Sequence, residues 1–192
     1  MRTPRLRRFA SVTGLTALTL GTLAVALPVE AGAATSATAY VLNPAAAKKA
    51  GFPVVYAAAK VTKNPGPKNC SSSVEAAYEN AGHKSGLVSQ TLVCKTPAAA
   101  KAAFAGFKAQ APATKTIPVP KALGSVSFAT AAGAPEYTLL WLHGTKVGFT
   151  GIDTDITASS NEAGKVPVTP LTAAQAKVLG AAAVTQNALL NK

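Results

Sequence analysis

The sequence predicts an α+β domain, an antiparallel sheet packed against two main helices and tied by one disulfide. Three observations predict it. Residues 70–94 alternate apolar with polar side chains, residues 136–153 are apolar on both sides, and each stretch folds back around turn residues. Alanine-rich runs follow Asn-Pro or Thr-Pro, the chemistry of a helix start. The two cysteines of this 192-residue chain, Cys70 and Cys94, flank a turn-rich stretch.

The chain opens with "MRTPRLRRFASVTGLTALTLGTLAVALPVEAGAA". Arg2, Arg5, Arg7 and Arg8 precede an uncharged, mostly apolar run from Val12 to Leu27, and Ala31-Gly32-Ala33 offers a cleavage site. The run is interrupted at Gly14 and Gly21 and stops at Pro28, short of the roughly 20 apolar residues a membrane span needs. Residues 1–33 are therefore expected to be a cleaved secretory signal, with 34–192 a single secreted α+β domain and no transmembrane span after cleavage. An exported chain meets an oxidising environment, where a lone cysteine pair forms a disulfide.

Each element follows in order. "NPAAAKKAGF" begins a short helix at Asn43-Pro44 that ends at Gly51, and Val54–Val61 suits a strand. "TKNPGPKN" (62–69) leads to Cys70. The cysteine positions are symmetric about Gly82, inside "NAGHKSG", so a hairpin folded there sets Cys70 opposite Cys94. In that register Val74, Ala76 and Tyr78 share an apolar face with Val88 and Leu92. Ser89 and Thr91 fall on a polar face that Leu87 and Val93 spoil. A helix from Ser72 also fits, since "SSVE" imitates a capping box.

"TPAAAKAAFAGFKAQ" predicts a helix from Thr96-Pro97 to about Gln110, burying Ala100, Ala103, Phe104 and Phe107. "SVSFATAA" (125–132) reads as a strand and Gly133–Pro135 as a turn. "EYTLLWLHGTKVGFTGID" reads as a hairpin on a type II′ turn at Gly144-Thr145, pairing His143 with Lys146 and Trp141 with Gly148. Leu140, Leu142, Val147 and Phe149 line one side. Tyr137, Leu139, Trp141 and Ile152 line the other, which is either covered or an interaction surface. After a loop at 157–169, a last helix runs from about Thr172 to Leu190, its start device at Thr169-Pro170. It turns Ala176, Leu179, Ala183 and Leu190 inward.

Charge narrows the function classes. The formal net charge is +12, and beyond residue 33 fifteen lysines face six acids with no arginine. Specific phosphate or base recognition favours the bidentate guanidinium, and the few aromatics do not alternate with the lysines. Specific nucleic-acid binding is not expected. A solubilising surface, or weak salt-sensitive attraction of lysines to anionic envelope polymers, is.

The catalytic inventory is thin. His83 and His143 sit at turns, and no nucleophile elbow surrounds a serine. Asp153-Thr154-Asp155 with Asn161 and Glu162 places oxygen ligands close together. As a calcium loop it fails at Thr157 and Ala158, where a ligand and a glycine belong. Zinc lacks ligands once the cysteines pair. No catalytic residue, metal or cofactor is assigned.

The runs "GLVSQTLVCKTPAAAKAAFAGF", "VPKALGSVSF", "YTLLWLHGTKVGF" and "PLTAAQAKVLGAAA" together resemble small exported proteins and sensor-like ectodomains of actinobacteria. The extracellular domains of some receptor-like serine/threonine kinases are similar. The resemblance covers about Ser85 to Leu190 as a pattern of element types and implies a binding or sensing scaffold with no catalytic residues.

Two classes of function result. The favoured one is a secreted, non-catalytic domain that binds a small apolar or envelope-associated ligand through Tyr137, Leu139, Trp141 and Ile152, or binds a protein partner. The alternative is a secreted hydrolase using His83 or His143 with Asp153 or Asp155. A structural protein held at the cell wall by its lysines is a third reading.

Overall fold

Capping chemistry sets the helices. A computed structural model of the chain describes residues 37–110, 117–124, 127–132, 136–156 and 171–191. The signal at 1–33, the turn at 133–135 and the loop at 157–169 lie outside them. Helix α1 spans Pro44–Lys49, with the Asn43 side chain accepting from the Ala46 N–H at 2.9 Å. It closes in a Schellman arrangement, Gly51 N–H donating to Lys48 and Phe52 N–H to Ala47. Gly51 takes φ 94°, a left-handed conformation that favours glycine. Helix α2 spans Pro97–Gln110, and Thr96 Oγ1 accepts from Ala99 N–H at 3.1 Å.

Helix α3, Ala173–Leu190, has its ends within a residue of the sequence expectation. Thr169-Pro170 lies outside the described residues, and the cap is Thr172. Its hydroxyl accepts from the Gln175 N–H, and the Gln175 side chain accepts from the Thr172 N–H. This capping box satisfies two orphan donors at once, where a Thr-Pro start satisfies one.

Among the described residues six antiparallel strands form one sheet: β1 Val54–Lys63, β2 Cys70–Glu79, β3 Gly86–Cys94, β4 Ser127–Ala132, β5 Glu136–His143 and β6 Lys146–Asp153. Their spatial order is β1-β2-β3-β6-β5-β4. The β5–β6 hairpin has the predicted register, from His143 opposite Lys146 to Leu140 opposite Phe149. Gly144 supplies the positive φ, 56°, and Thr145 has none, as a type II′ turn requires.

The β2–β3 hairpin forms in place of the rival helix, with a correction to its register. Cys70 does pair with Cys94, and their sulfurs are bonded. Beyond a bulge between Cys70 and Ser72, however, every pair is displaced by one: Ser73 faces Leu92, Val74 faces Thr91, Ala76 faces Ser89 and Tyr78 faces Leu87. An unbulged ladder would carry Cys70 on the same side as Val74 and Ala76, away from Cys94. The extra residue reverses it, so the disulfide and the main ladder coexist.

Inward of β1, the sheet is covered on both faces. On one, Val74, Ala76, Tyr78, Leu87, Tyr137, Leu139, Trp141 and Ile152 pack under Ala47 of α1 and Leu179, Ala182, Ala183 and Leu190 of α3. On the other, the disulfide, Leu92, Leu140 and Val147 pack against Ala99, Ala100, Ala103 and Phe104 of α2. Double coverage explains why neither face of the first hairpin is plainly polar. Among the described residues, no helix is long and apolar enough to cross a membrane.

Candidate functional site

Strand alternation brings Tyr137, Leu139, Trp141 and Ile152 together, with Ile152 directly opposite Tyr137. All four are buried beneath α3 instead of lying on an open face. Trp141 is 0% exposed, and its ring lies flat across the cross-strand Gly148, where a Cβ would come within 2.4 Å of ring carbons. Its indole N–H has no hydrogen-bond partner among the described residues. These side chains occupy the position of a core, and no open surface accompanies them.

Beside them lies a buried polar cluster. Gln186 of α3, 0% exposed, accepts from the Thr150 hydroxyl at 2.7 Å and donates to the Gln90 carbonyl at 2.7 Å and Thr91 Oγ1 at 3.0 Å. Thr91 in turn donates to the Tyr40 carbonyl at 2.8 Å. Ser89 Oγ accepts from the Leu42 N–H at 3.0 Å, and the Tyr78 hydroxyl donates to the Leu42 carbonyl. The cluster joins the Tyr40–Leu42 segment, β2, β3, β6 and α3. Burial pushes the Tyr78 hydroxyl pKa up, which keeps it a neutral donor. Sequence reasoning placed Ser89 and Thr91 on the polar side because its register was one residue off. Neither face of β3 carries a charge, so that strand left no signal to correct it.

The histidines do not converge. His143 ends β5 beside Lys146, whereas Asp153 ends β6. The β3–β6 ladder runs from Val93–Lys146 to Gly86–Asp153, seven steps or about 23 Å. His143 is therefore not brought to Asp153 or Asp155. His83 shares the Asp153 end, where Ile156 N–H donates to the Lys84 carbonyl. It is 62% exposed in a turn at φ 52°, and its Nδ1 lies 2.5 Å from Glu79 Oε2. Asp153 Oδ1 accepts from the Asp155 N–H, a local turn contact. Asn161 and Glu162 lie outside the described residues. Among those described, no three His, Cys, Asp or Glu side chains gather at one point.

The feature the sequence did not single out is the outer edge of the sheet. Strand β1 is ten residues long, about 33 Å, with β2 on one side and no strand on the other among the described residues. From Ala57 to Lys63 every residue is exposed, on both faces of the sheet. Val55 and Val61, 44% and 39% exposed, both belong to it. Two register shifts interrupt its ladder, between Val55 and Ala57 and between Ala57 and Lys60. Lys60 then pairs with Glu75, Val61 with Val74, Thr62 with Ser73 and Lys63 with Ser72 without interruption. Burial raises the Glu75 carboxyl pKa, and burial followed by the charge of Glu79 raises that of the Tyr56 hydroxyl.

No protein-family model matches the chain, and comparison with curated proteins and with solved structures finds no match.

Proposed function

We propose that the chain is an exported, non-catalytic binding domain that engages a protein partner at the outer edge of β1. The carrying observation is that strand: long, with no strand beyond it among the described residues, exposed on both faces from Ala57 to Lys63, and bearing Val55 and Val61 in water. An unpaired edge presents a row of backbone donors and acceptors that an extended segment satisfies by strand addition. Export is supported by the charged and apolar pattern of residues 2–33 and by the Cys70–Cys94 bond, which suits an oxidising compartment. The burial of Tyr137, Leu139, Trp141 and Ile152 favours a protein partner over a small apolar ligand taken by those side chains. The distance from His143 to Asp153 and the exposure of His83 weigh against the hydrolase reading.

Hydrogen–deuterium exchange on the purified protein, with and without isolated cell envelopes and their associated proteins, tests this. The amides of residues 54–63 are expected to gain protection, and the Val55→Asp/Val61→Asp variant to lose that gain. Protection confined to other surfaces, or none at all, overturns the proposal. If protection outside β1 also vanishes with salt, the polymer reading through the lysines replaces it.

A further inference from the structure

Resting on that reading, we infer that the partner contributes a short, acidic, extended segment that pairs antiparallel with Lys60–Lys63. Two register shifts fall in the first part of β1, and irregularities of this kind bend a strand and break the even spacing of its hydrogen-bonding groups, which discourages continuous pairing there. The four residues from Lys60 to Lys63 are the uninterrupted stretch. The docking unit is thus the C-terminal part of β1, and the incoming segment is correspondingly short.

The side chains of this stretch specify what lies opposite. Val61 and Lys63 pair with Val74 and Ser72, and Val74 belongs to the core under α3, so both project on the α3 side. Lys60 and Thr62 pair with Glu75 and Ser73; Ser73 faces Leu92 of the α2 core, so these project on the α2 side. A strand added outside β1 places its own side chains directly opposite these four. Acidic residues belong opposite Lys60 and Lys63, and an apolar residue opposite Val61. Read from its N-terminus, an antiparallel partner has the order acidic, unrestricted, apolar, acidic. Antiparallel pairing is chosen because every ladder in this sheet is antiparallel and such pairs are somewhat more stable per residue.

Charge argues for this occupant over a second copy of the chain. A two-fold pairing of this stretch sets Lys60 of one copy opposite Lys63 of the other, a like-charge contact, on a chain whose formal charge is already +12. Lys68, in the loop that follows β1, adds positive charge beyond the end of the strand.

The test uses three capped synthetic octapeptides, centred on Glu-Thr-Val-Glu, on Lys-Thr-Val-Lys and on the reordered Glu-Glu-Thr-Val. They are titrated into the isotopically labelled protein and followed by amide chemical shifts. The first is expected to shift the amides of residues 60–63, to weaken with added salt, and to bind about tenfold more tightly than its charge-reversed counterpart. The Lys60→Glu/Lys63→Glu variant, altered only at exposed positions, is expected to reverse that preference. Equal response to the reordered peptide, shifts scattered over distant lysines, or no shift in β1 overturns the inference. So does sedimentation showing that the protein alone dimerises through β1. If envelopes protect β1 while the acidic peptide does not bind, the proposed function survives and the partner chemistry falls; if both fail, both fall.

Discussion

Trp141 and Gly148 depend on each other. The indole ring fills the space a side chain on Gly148 would take, and the ring, together with the α3 side chains above it, completes the larger core. Gly148→Ala puts a methyl group within 2.4 Å of ring carbons in a close-packed interior. The ring must shift, and the expected destabilisation is about 1–3 kcal/mol, read by urea unfolding with a change in Trp141 emission. Unchanged stability would mean the core yields easily there. The pairing of these two residues is legible in the sequence, because the glycine turn sets the register. Their burial is not, since an apolar strand face looks alike whether a helix covers it or water does.

The docking of α3 rests on shape and on Gln186. Small side chains at Ala182 and Ala183 let the helix approach the sheet, and Gly180 leaves room for Pro120, whose Cγ would lie 3.1 Å from an added Cβ. Gln186 fixes the helix against β3, β6 and the Tyr40–Leu42 segment through directional bonds. Gln186→Leu keeps the volume but leaves the Thr150 hydroxyl and the Gln90 carbonyl without that partner. A loss of about 1–3 kcal/mol is expected, with faster amide exchange in both α3 and the 40–42 segment. Exchange that rises in α3 alone would show that the cluster does not couple the two. The helix is readable from its alanines and from Gln175 after Thr172. Gln186 is not readable, because a lone glutamine in a helix is ordinarily a solvated side chain.

Across the whole molecule, one covalent tie crosses the hairpin that organises the sheet. Cys70–Cys94 anchors one end of β2–β3, next to the bulge and against α2. Replacing both cysteines by alanine frees a loop of about 25 residues, and the expected loss is about 3 kcal/mol, measured by urea unfolding of the oxidised wild type and the variant. A loss near zero would show that the core alone holds the register.

Local chemistry was legible in the residues: the Asn43 and Thr96 caps, the type II′ turn at Gly144, the cysteine pairing and the α+β class. Each depends on neighbours a few positions apart or on a symmetric spacing, which is information a single chain carries. Which strand face is covered, where the bulge falls and how exposed β1 is depended on how the elements pack in space. The two faces of β3, Leu87, Ser89, Thr91 and Val93 against Gly86, Val88, Gln90 and Leu92, are nearly equal in polarity, so a shift of one residue changes little in its local pattern. The choice is made by distant partners, α2 on one side and α3 with Tyr40–Leu42 on the other, whose burial favours one register over its neighbour.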